Sequence, residues 1–343
     1  MIRIESGKDA AMVKSPYNPD YIAKIKAVKG YRWHPDKKCW SIPYSQLKSL
    51  LSTFDGEKVE INTSVWFYEQ RKELMARKYS RRTVKLYLHY NEEFLRFCNK
   101  TPYQVSNDDV RNYLYYLAEK GCSASTLNIA INALKFYYGE ILKRRFVYEI
   151  KRPKKDKRLP AVFSQEEVSG ILSSITNTKH KLILMFMYSA GLRVGEVVRL
   201  RVEDMDVERR LIRIRGGKGR KDRYTILSEV ASKTLKEYLR KYKPEKRLFS
   251  GQRKYRHITT RTVQKIFENA CRKAEIKKDV TVHSLHHSFA THLLESGVDL
   301  RYIQEQLGHK SSKTTEIYTH VAMKDLRRIR SPLDLMGGDK KDG

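Results

Sequence analysis

The chain has 343 residues, enough for two or three domains with real cores, and carries 70 Lys+Arg against 39 Asp+Glu for a formal net charge of +31. A field that strong points to a polyanionic partner, nucleic acid first, with a ribosome-associated or merely soluble basic protein as the plainer alternative. The four widely spaced cysteines form no CxxC pair, which speaks against a zinc site and a disulfide scaffold. No apolar run reaches membrane-span length, and the N-terminus has no apolar core of a signal peptide, so a cytoplasmic, nucleoid-associated protein is expected.

Residues 1–61 read as a small α/β accessory domain. Ile2–Ile4 alternate as a strand, and Pro19–Val28 read as a helix start followed by a basic helix. Arg32–Trp40 is a turn between aromatic anchors, and Ser45–Phe54 reads as a second short helix. The segment resembles the small strand–helix modules appended to some DNA-annealing helicases. DNA contact is therefore expected of it, with simple packing as the alternative.

Residues 62–150 read as a helical bundle. Val65–Lys78 has helical spacing, and Ser80 precedes the apolar-periodic run Val84–Cys98. Ser106 and Asp109 have the spacing of a capping box opening Val110–Lys120, and Ser123 opens Leu127–Leu142. Arg81, Arg82, Lys85, Arg96 and Lys135 are expected to project from the bundle. Segment 61–160 carries a charge excess of +11, against +4 in 1–60 and +16 in 161–343, which favours DNA contact over a solvated face. Residues 151–160, with two prolines and dense positive charge, read as an extended basic linker.

Residues 161–335 read as mostly helical with one hairpin. Ser164 and Glu167 form a capping pattern, Lys179–Ser189 is an apolar helix, and Gly191–Glu196 leads into another helix to Leu200. Leu211–Arg215 and Tyr224–Leu227 alternate as strands around a basic tip, Gly216–Arg223, from which Arg220 and Lys221 are expected to touch DNA. Helices follow at about 229–242, 260–275, 283–296, 299–306 and 312–319, and 336–343 reads as a tail. The fold class is thus mainly α with a small antiparallel β-hairpin or sheet. It comprises a helical DNA-binding bundle, a mixed α/β catalytic domain and a small N-terminal α/β domain.

Cleaving a phosphodiester without a metal needs fixed cations on the non-bridging oxygens, an acid for the leaving alkoxide and a nucleophile in line. Arg193, Lys218, His283, His309 and Tyr318 supply these types. Arg193 sits in a turn flanked by Gly191 and Gly195, with Glu196 placed to fix its fork. Lys218 lies between two glycines on the hairpin tip, where it can reach a departing 5′-oxygen. His283 opens an apolar helix, where the dipole favours anions. Tyr318 lies in the polar stretch Thr314–His320, which suggests access to substrate. Each alone has a blander reading: a surface ion pair, a solvated turn lysine, structural histidines, and one tyrosine among 22.

Together they resemble the tyrosine recombinases, or phage-type integrases. The shared pattern is Gly-Leu-Arg-x-x-Glu at 191–196, Gly-Lys-Gly at 217–219, His-x-Leu-x-His-x-Phe-Ala-Thr-His at 283–292 and Leu-Gly-His…Tyr at 307–318. The resemblance implies that Tyr318 attacks the scissile phosphate to give a 3′-phosphotyrosine and frees a 5′-hydroxyl. It also implies that Lys218 is the general acid, that Arg193, His283 and His309 stabilise the transition state, and that no cofactor is needed. It makes 62–150 a core-binding domain and 1–61 an arm-DNA-binding domain. The implied partners are double-stranded recombination sites bound by a dimer per site and a tetramer in synapse. The segment 322–329 would dock on a neighbouring protomer.

His286 departs from that pattern, since the family places a second arginine there. Histidine offers fewer donors and is mostly neutral at pH 7, so impaired cleavage with intact DNA binding is the expectation. Integration or excision of a mobile element is the expected role. Chromosome-dimer resolution and a DNA-binding member weakened by His286 are the alternatives. A metal enzyme using His283 and His287 at i, i+4 is a remote third reading, which DNA cleavage in excess chelator would contradict.

Overall fold

The computed structural model describes residues 1–144, 149–154, 159–216, 222–251, 257–309, 311–319 and 321. The chain divides into two compact units, Met1–Asp156 and Lys157–Gly343.

In the first unit, strands β1 (Ile2–Ser6), β2 (Ala10–Lys14), β3 (Arg32–His34), β4 (Cys39–Pro43) and β5 (Val59–Ile61) form one sheet in the order β3-β4-β2-β1-β5. All pairs are antiparallel except β1 and β5. Ile2, Ile4, Ala11, Val13 and Ile42 alternate inward and are buried. Helix α1 (Pro19–Lys26) begins where the Asn18 side chain accepts hydrogen bonds from the Asp20 and Tyr21 amides. It and α2 (Leu47–Thr53) bury Ile25, Leu47 and Leu50. The segment expected to be a turn, Arg32–Trp40, is the greater part of the hairpin β3–β4, with Trp33 opposite Trp40.

The helices are α3 (Tyr68–Ala76), α4 (Arg81–Cys98), α5 (Asn107–Glu119) and α6 (Ala124–Leu134). One apolar core runs from the sheet residues through Val65, Phe67 and Phe94 to Tyr113 and Leu134. The capping box expected at Ser106 and Asp109 is formed in full. The long helix expected to reach Leu142 instead changes pitch, and Lys135–Ile141 is a π-helix. The change of pitch follows a contact from another helix: buried Asn91 of α4 donates its side-chain amide to the Ala133 carbonyl at 3.0 Å.

In the second unit, the capping box at Ser164 and Glu167 opens α7 (Gln165–Ser173). Helix α8 (Thr178–Ser189) buries Leu182 to Met187 consecutively, as a helix surrounded by protein must. Then come α9 (Val194–Val197), strands β6 (Met205–Asp206), β7 (Leu211–Ile214) and β8 (Arg223–Ile226), and helices α10 (Glu229–Tyr242), α11 (Thr260–Lys273), α12 (His283–Glu295), α13 (Leu300–Leu307) and α14 (Ser312–Thr315). The hairpin gains a third strand, in the order β6-β7-β8. Helix α9 stops short of Leu200 because the next residues pair elsewhere: Leu200 accepts the Leu248 amide, and Arg201 bridges to Arg247.

Gly191 ends α8 with φ +60°, and an added Cβ would lie 2.5 Å from the Phe289 ring. Gly191→Ala is expected to destabilise this unit by about 3 kcal/mol, combining overpacking of about 1–3 kcal/mol with left-handed strain of about 1–2 kcal/mol. Urea unfolding measures this, and a loss under about 1 kcal/mol would mean that the α8–α12 packing yields.

Candidate active site

Arg193 precedes the first turn of α9. Its amide and its guanidinium both donate to Glu196, at 2.9 and 3.2 Å. The expected Arg193–Glu196 pairing is therefore present, but Glu196 has a stronger partner. Arg223, at the start of β8, grips both carboxylate oxygens at 2.8 and 3.0 Å and donates from Nε to the Gln306 carbonyl on α13 at 2.8 Å. One buried carboxylate thus ties the Arg193 turn, the root of the hairpin and the end of α13. Gly308 follows at φ +63°, and a Cβ there would meet the Arg223 stem at 3.0 Å. Gly195, by contrast, has only the tip of Arg199 near it, at 3.9 Å.

Burial would raise the Glu196 pKa, but the hydrogen bonds and charge of Arg223, with help from Arg193, hold it below its ordinary 4.5. A depressed carboxylate contributes stability above its unfolded pKa and loses it as pH falls through the folded value. The acid limb of this unit's stability should therefore lie below pH 4.5. Glu196→Gln, which leaves two guanidinium groups without a counter-charge, should cost about 3–5 kcal/mol at pH 7 in urea unfolding. The deficit should shrink in acid.

Helix α12 supplies the histidines. His283 stands at its exposed first position, with its pKa lowered by partial desolvation and by Arg193. His286 is 3% exposed, and its Nδ1 lies 2.6 Å from the Gly191 carbonyl. A carbonyl only accepts, so Nδ1 carries the proton. Burial, then Arg193 and His287, push the His286 pKa well below its ordinary value, so the ring is neutral and its Nε2 presents a lone pair. His287 is pushed down to about 4 by burial, His283 and Arg193. Its Nδ1 lies 3.1 Å from the Tyr318 hydroxyl.

Tyr318 closes a 3₁₀ turn, Glu316–Tyr318, just after α14. Its polar neighbourhood suggests an accessible side chain, but the structure corrects this: Tyr318 is 1% exposed, packed with Phe289, Ala290, Ile303 and Leu307. Burial pushes its pKa up to about 12, against the pull of Arg193. His309 lies over Tyr318, with ring centroids 6.3 Å apart and planes within 15°, and shares a hydrogen bond with the Thr315 hydroxyl at 2.9 Å. The His286 and His309 rings are 6.2 Å apart. Arg193 acts on His283, His286, His287 and Tyr318 alike, so its charge lies among them.

Arg193, His283, His286, His309, Tyr318 and the supporting Glu196 are thus brought together. Lys218, Arg220 and Lys221 lie outside the described residues, as do 322–343. Two members of the cluster were not assigned from sequence. Arg223 joins Glu196 from 27 residues away, and no local pattern announces it. His287 was visible only as the i+4 neighbour of His283, a spacing that suggests a metal ligand. In the structure the α12 histidines diverge. His286 bonds Gly191, His287 meets Tyr318, and His292 sits between Tyr188 and the Phe163 carbonyl.

In the first unit Arg81, Arg82 and Lys85 are exposed on α4. Lys135 corrects the expectation of a projecting cation. It is half-buried in the π-helix, and its ammonium donates to the Ile150 carbonyl at 3.3 Å.

The site thus gathers a buried tyrosine, an arginine and four histidines on a mixed helical scaffold with a three-stranded sheet, groups of the types that phosphoryl transfer uses. Residues 161–325 match the phage integrase family, and residues 66–147 match the phage integrase N-terminal SAM-like domain. The chain belongs to the phage integrase family and is a tyrosine recombinase. It is 38% identical over 267 residues to a putative integrase/recombinase, y4qK, of Sinorhizobium fredii, covering 77% of this chain and 87% of that one. It is 38% identical over 251 residues to the tyrosine recombinase XerA of Pyrococcus horikoshii, covering 72% and 86%. In fold it is similar to the crystal structure of the XerH site-specific recombinase bound to a palindromic difH substrate, with TM-score 0.63, 22% identity and coverage of 90% and 92%. No helix among the described residues is long and apolar enough to cross a membrane.

Proposed function

We propose that the chain cuts and rejoins DNA strands at specific duplex sites, with Tyr318 as the nucleophile. The observation that carries this is the Tyr318 hydroxyl at 3.1 Å from the His287 Nδ1, inside the field of Arg193. In the reaction the Tyr318 oxygen forms a bond to phosphorus, and the bond from phosphorus to the 5′-oxygen breaks. His287, neutral at pH 7 and made more basic by the negative charge of the arriving phosphate, takes up the phenolic proton, and Lys218 protonates the departing oxygen. Arg193, His283 and His309 hold the non-bridging oxygens as charge builds. A 5′-hydroxyl of a partner strand reverses the step. The phosphoryl bond is kept in the covalent link, so strand exchange needs no nucleotide.

Arg81, Arg82 and Lys85 of the 62–150 bundle and Arg220 and Lys221 of the hairpin grip the phosphate backbone, and residues 1–61 act as an added DNA-contacting domain. That added segment, which precedes both family matches, supports integration or excision of a mobile element. XerH is bound to its DNA substrate, which supports duplex sites as partners here, held by a dimer per site and a tetramer in synapse. The setting of such work is the cytoplasmic nucleoid.

One observation favours a second reading. The buried, neutral His286 engaged with Gly191 supports a member that binds its site but cleaves it slowly. A suicide substrate nicked beside the scissile phosphate decides between them. Rapid accumulation of a denaturant-stable adduct mapping to Tyr318 supports the first reading. Site binding with little adduct supports the second, and an adduct at another residue contradicts both.

A further inference from the structure

The N-terminal sheet carries an exposed aromatic groove that the recombinase chemistry does not use. It is about 810 Å³ in volume, within the range of small-ligand sites, and is framed by Tyr17, Tyr31, Trp33 and Trp40. Tyr17 is 88% exposed, and Tyr31 and Trp33 are more than 40% exposed. Trp33 lies on β3, an edge strand, directly across from Trp40, with ring centroids 4.8 Å apart. Tyr31 meets the same Trp40 edge-on at 5.8 Å. Trp40 is 9% exposed, so it anchors the cluster while Tyr31 and Trp33 keep open faces. Core packing does not account for three large rings left in water at one place; such patches mark binding surfaces.

The charge around the groove selects the partner. The Lys26 ammonium stands 6.0 Å from the Trp40 ring centroid, and Lys38 lines the same groove. Lys29, Arg32 and Lys37 lie nearby in the chain and are exposed. Among the described residues none of these five cations makes an ion pair, while the acidic side chains of 15–40 are only Asp20 and Asp36. Open aromatic faces beside the Lys26 and Lys38 ammonium groups match a chain of flat bases on a phosphate backbone. Paired bases are stacked on one another and show only their edges, so faces like these select unpaired ones. We propose that this groove binds single-stranded DNA, stacking unpaired bases on Trp33 and Tyr31 while Lys26 and Lys38 hold the phosphates.

The test uses the full chain and its tryptophan emission. A short oligo(dT) should quench the fluorescence saturably, whereas an abasic strand of equal length and charge should quench it weakly. Trp33→Ala and Tyr31→Ala together should weaken oligo(dT) binding by about tenfold or more, measured by anisotropy of a labelled strand. Trp33→Phe, which keeps a stacking face, should bind nearly as the parent does. The far-ultraviolet spectrum and duplex-site binding of each variant report whether it is folded. Equal binding of the abasic strand, or unchanged affinity in the folded double variant, would overturn the proposal. So would failure to bind oligo(dT) combined with self-association that Trp33→Ala abolishes, which would make the groove an interface between copies. Adduct formation by Tyr318 is read separately, so this proposal and the recombinase reading fail independently.

Discussion

Tyr318→Phe is expected to abolish the covalent protein–DNA adduct while leaving duplex binding within about twofold of the parent. The phenol ring fills a core position with Phe289, Ile303 and Leu307, and phenylalanine keeps that volume. The one hydrogen bond given up is to His287, a neutral partner, so stability should fall by only about 1 kcal/mol. The change therefore separates chemistry from folding. The measurement is adduct yield on the nicked substrate beside gel-shift affinity on the intact one. Persistent adduct would show that one of the other 21 tyrosines, or a serine, attacks instead.

His286→Arg is expected to raise the rate of adduct formation by about 10²–10³ at pH 8, the usual worth of one well-placed transition-state donor. In the resting protein His286 gives its only ring proton to Gly191 and turns a lone pair the other way. It becomes a second donor only when protonated, and burial with Arg193 and His287 opposes that. An arriving phosphate favours the charged ring and recovers part of the loss. The sign follows. Above the pKa of the bound state, the protonated fraction falls tenfold for each unit rise in pH, so the parent loses ground as pH rises. Arginine does not titrate here. The rate ratio of variant to parent should widen from pH 6 to pH 8 in single-turnover assays. Equal rates would show that His286 already serves as well as arginine, and a constant ratio would remove titration as the reason.

Much of this was legible in the sequence, and what was missed shares a cause. Capping boxes at Ser106 and Ser164, the apolar run of α8 and the order of the four motifs are local signals, set by residues within a turn or two of each other. The strand β5 has three residues and pairs with β1 across nearly sixty positions, so no alternation announced it. The π-helix at Lys135–Ile141 follows a carbonyl bonded by Asn91, a residue of another helix. The site divides the same way. Arg193, His283 and Tyr318 stand in recognisable motifs. The Arg223 clamp on Glu196, the pairing of His287 with Tyr318 and the depth at which Tyr318 is buried are all tertiary facts.

The buried Tyr318 also sets a limit on turnover. The Tyr318 residue is 1% exposed, so if it is the nucleophile, the turn that carries it must move before a duplex phosphate can reach its oxygen. The observed rate is then the intrinsic rate multiplied by the opened fraction, and a 1% opened population alone would lower it about a hundredfold. Any contact that holds the turn open more tightly than the core holds it closed becomes an activator. If assembly on DNA supplied such a contact, strand cutting would be tied to the assembled complex rather than to the mere presence of the enzyme.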